Sequence, residues 1–137
     1  MTTIDIEKAI QIYIEASAST LSMMEYVLLL LNEFQKNVQQ CKQAIAAGDS
    51  DDRGRDRSLQ KAQDFLFELM TTTDHEAERS DRLMTIYLHM NQCLVQTHIT
   101  KTDDLLGHVE EMTVQLIASW QVAKQVTRRR NFTTDRL

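Results

Sequence analysis

The residues able to do chemistry are few and far apart: His75, His89, His98 and His108, Cys41 and Cys93, and three single glycines, Gly48, Gly54 and Gly107. A di-iron centre in a helical protein needs a carboxylate three residues ahead of a histidine on two helices, which brings both ligands to one face. Thr72, Ile86, Val95 and Leu105 hold those positions here, so no such pair exists. His-x-x-x-His is also absent, which removes a helical zinc scaffold. The isolated glycines build no phosphate-cradling loop, no serine sits in a nucleophile elbow, and the cysteines form no Cys-x-x-Cys pair. Both cysteines lie in apolar helical patterns and read as small buried hydrophobes. Glu110 and Glu111 occupy adjacent helix faces and do not converge. These residues predict no enzyme, no metal and no cofactor.

The elements that carry them are helices. From Ile4 to Ala16, Ile6, Ile10 and Tyr13 share one face, and the weak stretch Ala16–Thr20 marks this as a separate, loosely held arm. Ser22 with Glu25 reads as a capping box opening the first long helix. Its seam is Met24, Leu28, Leu31, Val38, Cys41 and Ile45, with Leu30 and Phe34 beside it, and Gly48 ends it. Asp49–Arg57, dense in charge, reads as a connector. A second helix covers about residues 58–70, with Leu59, Ala62, Leu66 and Leu69 inward. Thr73 with Glu76 reads as a capping box for the third helix, striped by Leu83, Tyr87, Met90 and Leu94. Thr102 is expected to cap the fourth. Leu105, Val109, Met112, Leu116, Trp120 and Ala123 line that helix, and Arg128–Arg130 complement its negative C-terminal end. Short links make consecutive helices antiparallel neighbours. The expected fold is all-α: an antiparallel up-and-down four-helix bundle over residues 21–130, a short N-terminal helical arm over 1–20 and a tail over 131–137.

Composition narrows the function. One domain fits 137 residues, and the absence of proline with three glycines disfavours turn-rich β folds. Fifteen Lys and Arg against twenty Asp and Glu leave a net charge of −5, without the basic footprint of a nucleic-acid or anionic-membrane binder. The longest apolar run, Tyr26–Leu31, is far too short to span a bilayer. The start, Met1–Glu7, has neither the basic nor the apolar region of a secretory signal, so a cytoplasmic protein is expected. Apolar residues are in excess, however. Tyr26–Leu31 covers every face of the first long helix, and Leu83, Met84, Ile86, Tyr87, Leu88, Met90, Leu94 and Val95 make a band wider than one stripe. Helices apolar all round are buried or bind something, and seven methionines add an adaptable lining.

Several of these segments, in register, resemble the FliS flagellar export chaperones. Members of that family carry a tyrosine in an N-terminal arm, and Tyr13 stands twelve residues before Glu25, at the family's spacing. Ser22–Asn32 (SMMEYVLLLLN) is similar to the family's Ser/Thr-Pro-x-Glu-Leu helix start and the apolar run after it. Lys61–Leu69 (KAQDFLFEL) is similar to Lys-Ala-Gln-x-Ile-Ile-x-Glu-Leu, and Tyr87–Leu94 (YLHMNQCL) to Tyr-x-Tyr-Met-x-x-x-Leu. Ile99 and Trp120 fall in register beyond them. The chain departs from the pattern at Ile10, Met23, Leu31, Glu33, His89, Gln92, Thr97 and His98.

The resemblance implies a partner: the C-terminal segment of flagellin, disordered alone and helical when bound, with export-gate or regulatory flagellar proteins as further partners. It implies masking of that segment's apolar face without ATP. The groove-lining candidates are Leu28, Leu31, Phe34, Tyr87, Met90 and Leu94, with Ile10 and Tyr13 on an arm that covers the groove until the client displaces it. Monomer and homodimer stay open. Two other readings stay beside this one: a homodimeric helical adaptor for another export or regulatory client, and histidine phosphotransfer through His98 with Lys101 nearby.

Overall fold

Helix follows helix wherever the apolar spacing repeats. The computed structural model describes residues 3–17, 20–48, 52–78 and 80–136. It contains α1 (Thr3–Ala16), α2 (Leu21–Ala46), α3 (Asp52–Thr72), α4 (Ser80–Thr100) and α5 (Leu106–Arg136), and no strand among the described residues. Polar pairs across the interfaces give the directions. Glu25 near the start of α2 faces Lys124 and Arg128 late in α5, at 3.6 and 3.9 Å. Lys42 near the end of α2 meets Glu110 early in α5, at 3.1 Å. Tyr26 donates its hydroxyl to Glu68 late in α3 at 2.9 Å. Gln63 donates to Asn91 at 3.1 Å, while Asp56 lies 3.5 Å from His98. Where two such pairs join the same helices, the number rises on one as it falls on the other, so α2 opposes α5 and α3 opposes α4. Neighbours pack as α2 on α3, α3 on α4, α4 on α5 and α5 on α2, with α1 laid over α4 and α5. Among the described residues α2 and α4 make no close backbone approach, and neither do α3 and α5.

The inward stripes fall where the 3.6-residue period puts them. Met24, Leu28, Leu30, Leu31, Phe34, Val38 and Cys41 of α2 join one core with Leu59, Ala62, Leu66 and Leu69 of α3, Leu83, Ile86, Tyr87, Met90 and Leu94 of α4, and Val109, Met112, Leu116 and Trp120 of α5. In α5 the first inward residue is Leu106, while Leu105 is half-buried. Both cysteines are free and buried. Burial pushes the Cys41 thiol up to about 11 and raises that of Cys93, so both stay protonated at neutral pH and act as apolar filling.

The helix ends differ from the sequence expectation, each for a local reason. Thr20, not Ser22, caps α2: its backbone is extended, and its hydroxyl accepts the N–H of Met23 at 3.2 Å. At the other end Gly48 adopts φ +60°, the left-handed geometry of a residue that closes a helix. The charged segment after it is largely helical. Asp49–Asp51 lie outside the described residues, but α3 already begins at Asp52. There Arg55 is buried and reaches Asp56 at 3.2 Å, while Ser58 donates back to the Gly54 carbonyl at 2.8 Å.

Thr73 does not open α4. Its hydroxyl donates to the Leu69 carbonyl at 2.9 Å, which finishes α3. Asp74 then accepts the N–H of Glu76 in a turn, and Ser80 starts the next helix. Thr102 bonds Thr100 and Asp104, three residues ahead of α5, and is no cap. Arg128–Arg130 lie inside α5, which runs to Arg136 through most of the segment separated as a tail. They therefore sit a turn or more from the end whose dipole they were expected to meet. Thr20→Ala is expected to cost about 1 kcal/mol of stability, and Ser22→Ala close to nothing, in urea unfolding of the two variants.

Candidate functional site

The arm defines the site. Ile6, Ile10 and Tyr13 follow one another at four and three residues, so one face of α1 carries all three. Each is buried, with Ala9 beside them, where α1 lies over α4 and α5. The expected loose arm is thus a docked amphipathic helix. Three large side chains contribute roughly 1.5–3 kcal/mol each on burial. Against that stands the ordering of a 14-residue helix, a length that is marginal in isolation. Docking and helix formation in α1 therefore depend on one another.

Tyr13 anchors it. The ring meets Trp120 edge-on, with centroids 6.2 Å apart and planes at 71°. Its hydroxyl accepts the backbone N–H of Asp74 at 2.8 Å, tying the arm to the link between α3 and α4. Met23, Val27, Thr72, Thr73, Tyr87 and Trp120 complete the seat, leaving a residual cavity of ≈ 10 Å³, room for at most one water. Burial raises the Tyr13 hydroxyl above its ordinary range; the Asp74 N–H opposes the rise, and the Asp74 carboxylate adds to it. Tyr87, deeper still, is raised more strongly by burial and then by its neighbour Tyr13. The buried Trp120 Nε1 lies near enough to temper that rise, but without the geometry of a hydrogen bond. The seat is thus apolar, with both phenols neutral. Along the same seam an open cleft of ≈ 180 Å³ runs between Ile14 of α1 and Val122 and Val126 of α5.

Of the six groove candidates, Leu31, Phe34, Tyr87, Met90 and Leu94 are at most 1% exposed, and Leu28 is 8% exposed. All six lie in the shared interior. Only Tyr87 is also part of the arm's seat. Ile10 and Tyr13 do lie on the arm, facing inward. The apolar residues that face outward are others: Leu29, Leu88, Ile99 and Val114 are each more than half exposed. Leu88, Val95 and Ile99 recur at seven and four residues along one outer face of α4. Sequence reasoning missed Met23 and Val27 as seat residues; the signal for them was the continuous apolar run, which cannot say which face looks where. His98 is exposed, two residues from the end of α4 and 3.5 Å from Asp56. His89 and His108, on different helices, are brought within 3.1 Å. Among the described residues no group of three or more His, Cys, Asp or Glu is placed to hold a metal, and no helix is long and apolar enough to cross a membrane.

The fold is helical, with an amphipathic arm docked in an apolar seat, and the comparisons name its family. The family model for flagellar protein FliS matches residues 6–127. The chain is 30% identical over 118 residues to the flagellar secretion chaperone FliS of Bacillus subtilis (strain 168), an alignment covering 85% of this chain and 86% of that protein. No solved structure matches it. The chain belongs to the FliS family of flagellar secretion chaperones. The matched span takes in α2 to α4, Tyr13 and Trp120, and so the whole of the arm's seat.

Proposed function

We propose that this chain is a cytoplasmic, non-enzymatic export chaperone that binds the disordered C-terminal segment of flagellin and prevents its premature polymerisation. In this reading residues 21–130 form an up-and-down four-helix bundle and residues 1–20 an arm on its surface. The observation that carries it is the docking of α1, an amphipathic helix whose Ile6, Ile10 and Tyr13 fill an apolar seat against α4 and α5. A surface that accepts one amphipathic helix accepts another of similar pattern. A flagellin helix with apolar residues at the same spacing would take the seat, and the arm would leave. The outward apolar face of α4 would then hold further client segments. Masking of this kind runs on buried apolar area, which offsets the ordering of the client, and needs no nucleotide.

The test is co-purification with full-length flagellin and with flagellin lacking its C-terminal segment. Capture of the first and loss of the second is the expected result. Equal capture of both would place the contact elsewhere on the client.

A further inference from the structure

His89 on α4 and His108 on α5 face each other across the helix interface, with Nε2 to Nε2 at 3.1 Å. Their ring centroids are 5.2 Å apart and their planes meet at 75°. Both side chains are exposed, so a ligand can reach them and small rotations of the rings are open to them. Imidazole nitrogens bind zinc at about 2.0–2.1 Å. Two nitrogens at the separation seen here would hold one ion at an N–metal–N angle of about 100°, between the octahedral and tetrahedral values. We propose that His89 and His108 form a two-histidine chelate for a divalent transition-metal ion of the zinc, nickel or copper class, bridging α4 to α5.

In the metal-free protein one ring donates its Nε2 proton to the other ring's nitrogen. On binding, the donating ring gives up its Nε2 proton and takes one at Nδ1 through solvent, so it stays neutral; both Nε2 lone pairs turn to the ion, and waters complete the coordination. Cys93 Sγ lies 3.9 Å from His89 Nε2, but it is buried and stays outside the chelate. The site is therefore open, with two protein ligands only. Its place gives it an effect. Among the neighbouring helix pairs, α4 and α5 approach each other least extensively, and α1 packs on both. An ion across this junction fastens the pair on which the arm rests. The folded chain alone holds these two side chains together across 19 positions of sequence, so the ion binds the folded form and stabilises it by mass action.

The experiment uses the full chain without an affinity tag, stripped by chelator and titrated with zinc chloride in a calorimeter. One ion per chain at micromolar affinity is expected, together with a zinc-dependent rise in Tm. His89→Ala and His108→Ala should each weaken binding at least about tenfold, and the double variant should abolish it. Both side chains are exposed, so the metal-free Tm should be unchanged, which checks folding. The His75→Ala/His98→Ala double variant should bind as the parent does. Zinc binding as tight in His108→Ala as in the parent, or no binding at millimolar zinc, would overturn the proposal.

Discussion

Trp120→Ala is expected to lower the unfolding free energy by about 3–5 kcal/mol. The indole is 3% exposed and takes the edge-on contact from Tyr13. It also borders Tyr87, Val27 and Met23 in the same seat. Removing it opens a cavity where all five helices meet. Helices packed on one another there cannot all collapse inward, so transfer and cavity costs add. Urea unfolding followed by circular dichroism measures the effect, with an unchanged slope expected because the folded surface stays nearly the same. A loss below about 1 kcal/mol would mean that Trp120 packs at the surface.

Ile10→Asp is expected to raise the affinity for the client. Ile10 is fully buried under α1, and a carboxylate there has no partner, so the docked arm becomes untenable. In the proposed function the arm leaves while α2 to α5 stay folded, so the stability cost should not exceed the docking free energy of the arm. What rises is affinity for the flagellin C-terminal segment, because the seat no longer has to be vacated. For an arm seated about 90–99% of the time, the gain is roughly 10- to 100-fold. Titration of the labelled segment against parent and variant measures it. A fall in affinity would mean that the arm belongs to the binding surface and does not cover it.

Much of this was legible in the residues. The stripes of α2, α4 and α5 follow from a period of 3.6, and core placement at Met24, Leu83, Leu116 or Trp120 needs nothing more. Helix ends were less so, because capping depends on a single backbone geometry. Thr20 and Ser22 are equally good capping residues, and only the extended backbone at Thr20 decides between them. The start of α3 hid in Asp52–Arg57, where charge density resembles a solvated loop. Arg55 is nonetheless buried, and burial depends on what packs over it, which local composition cannot report. The groove was the hardest part. Periodicity says how wide an apolar band is, not which residues of it remain uncovered when helices close. So Phe34, Met90 and Leu94 read as groove candidates and lie in the core, while Leu88 and Ile99 face outward. The pairing of His89 with His108 depends on the register of α4 against α5, which no spacing within either helix contains.

The proposed function requires α1 to give way to the client. Hydrogen exchange of the α1 backbone, with and without the flagellin C-terminal segment, tests it most directly. On saturation with the segment, amides between Ile6 and Ala16 should exchange faster, toward the rate of a free helix of that length, while those of α4 and α5 around Tyr87 and Trp120 stay protected or slow further. Unchanged or increased protection of α1 in the saturated complex would contradict the account, since the arm would then remain seated while the client is bound.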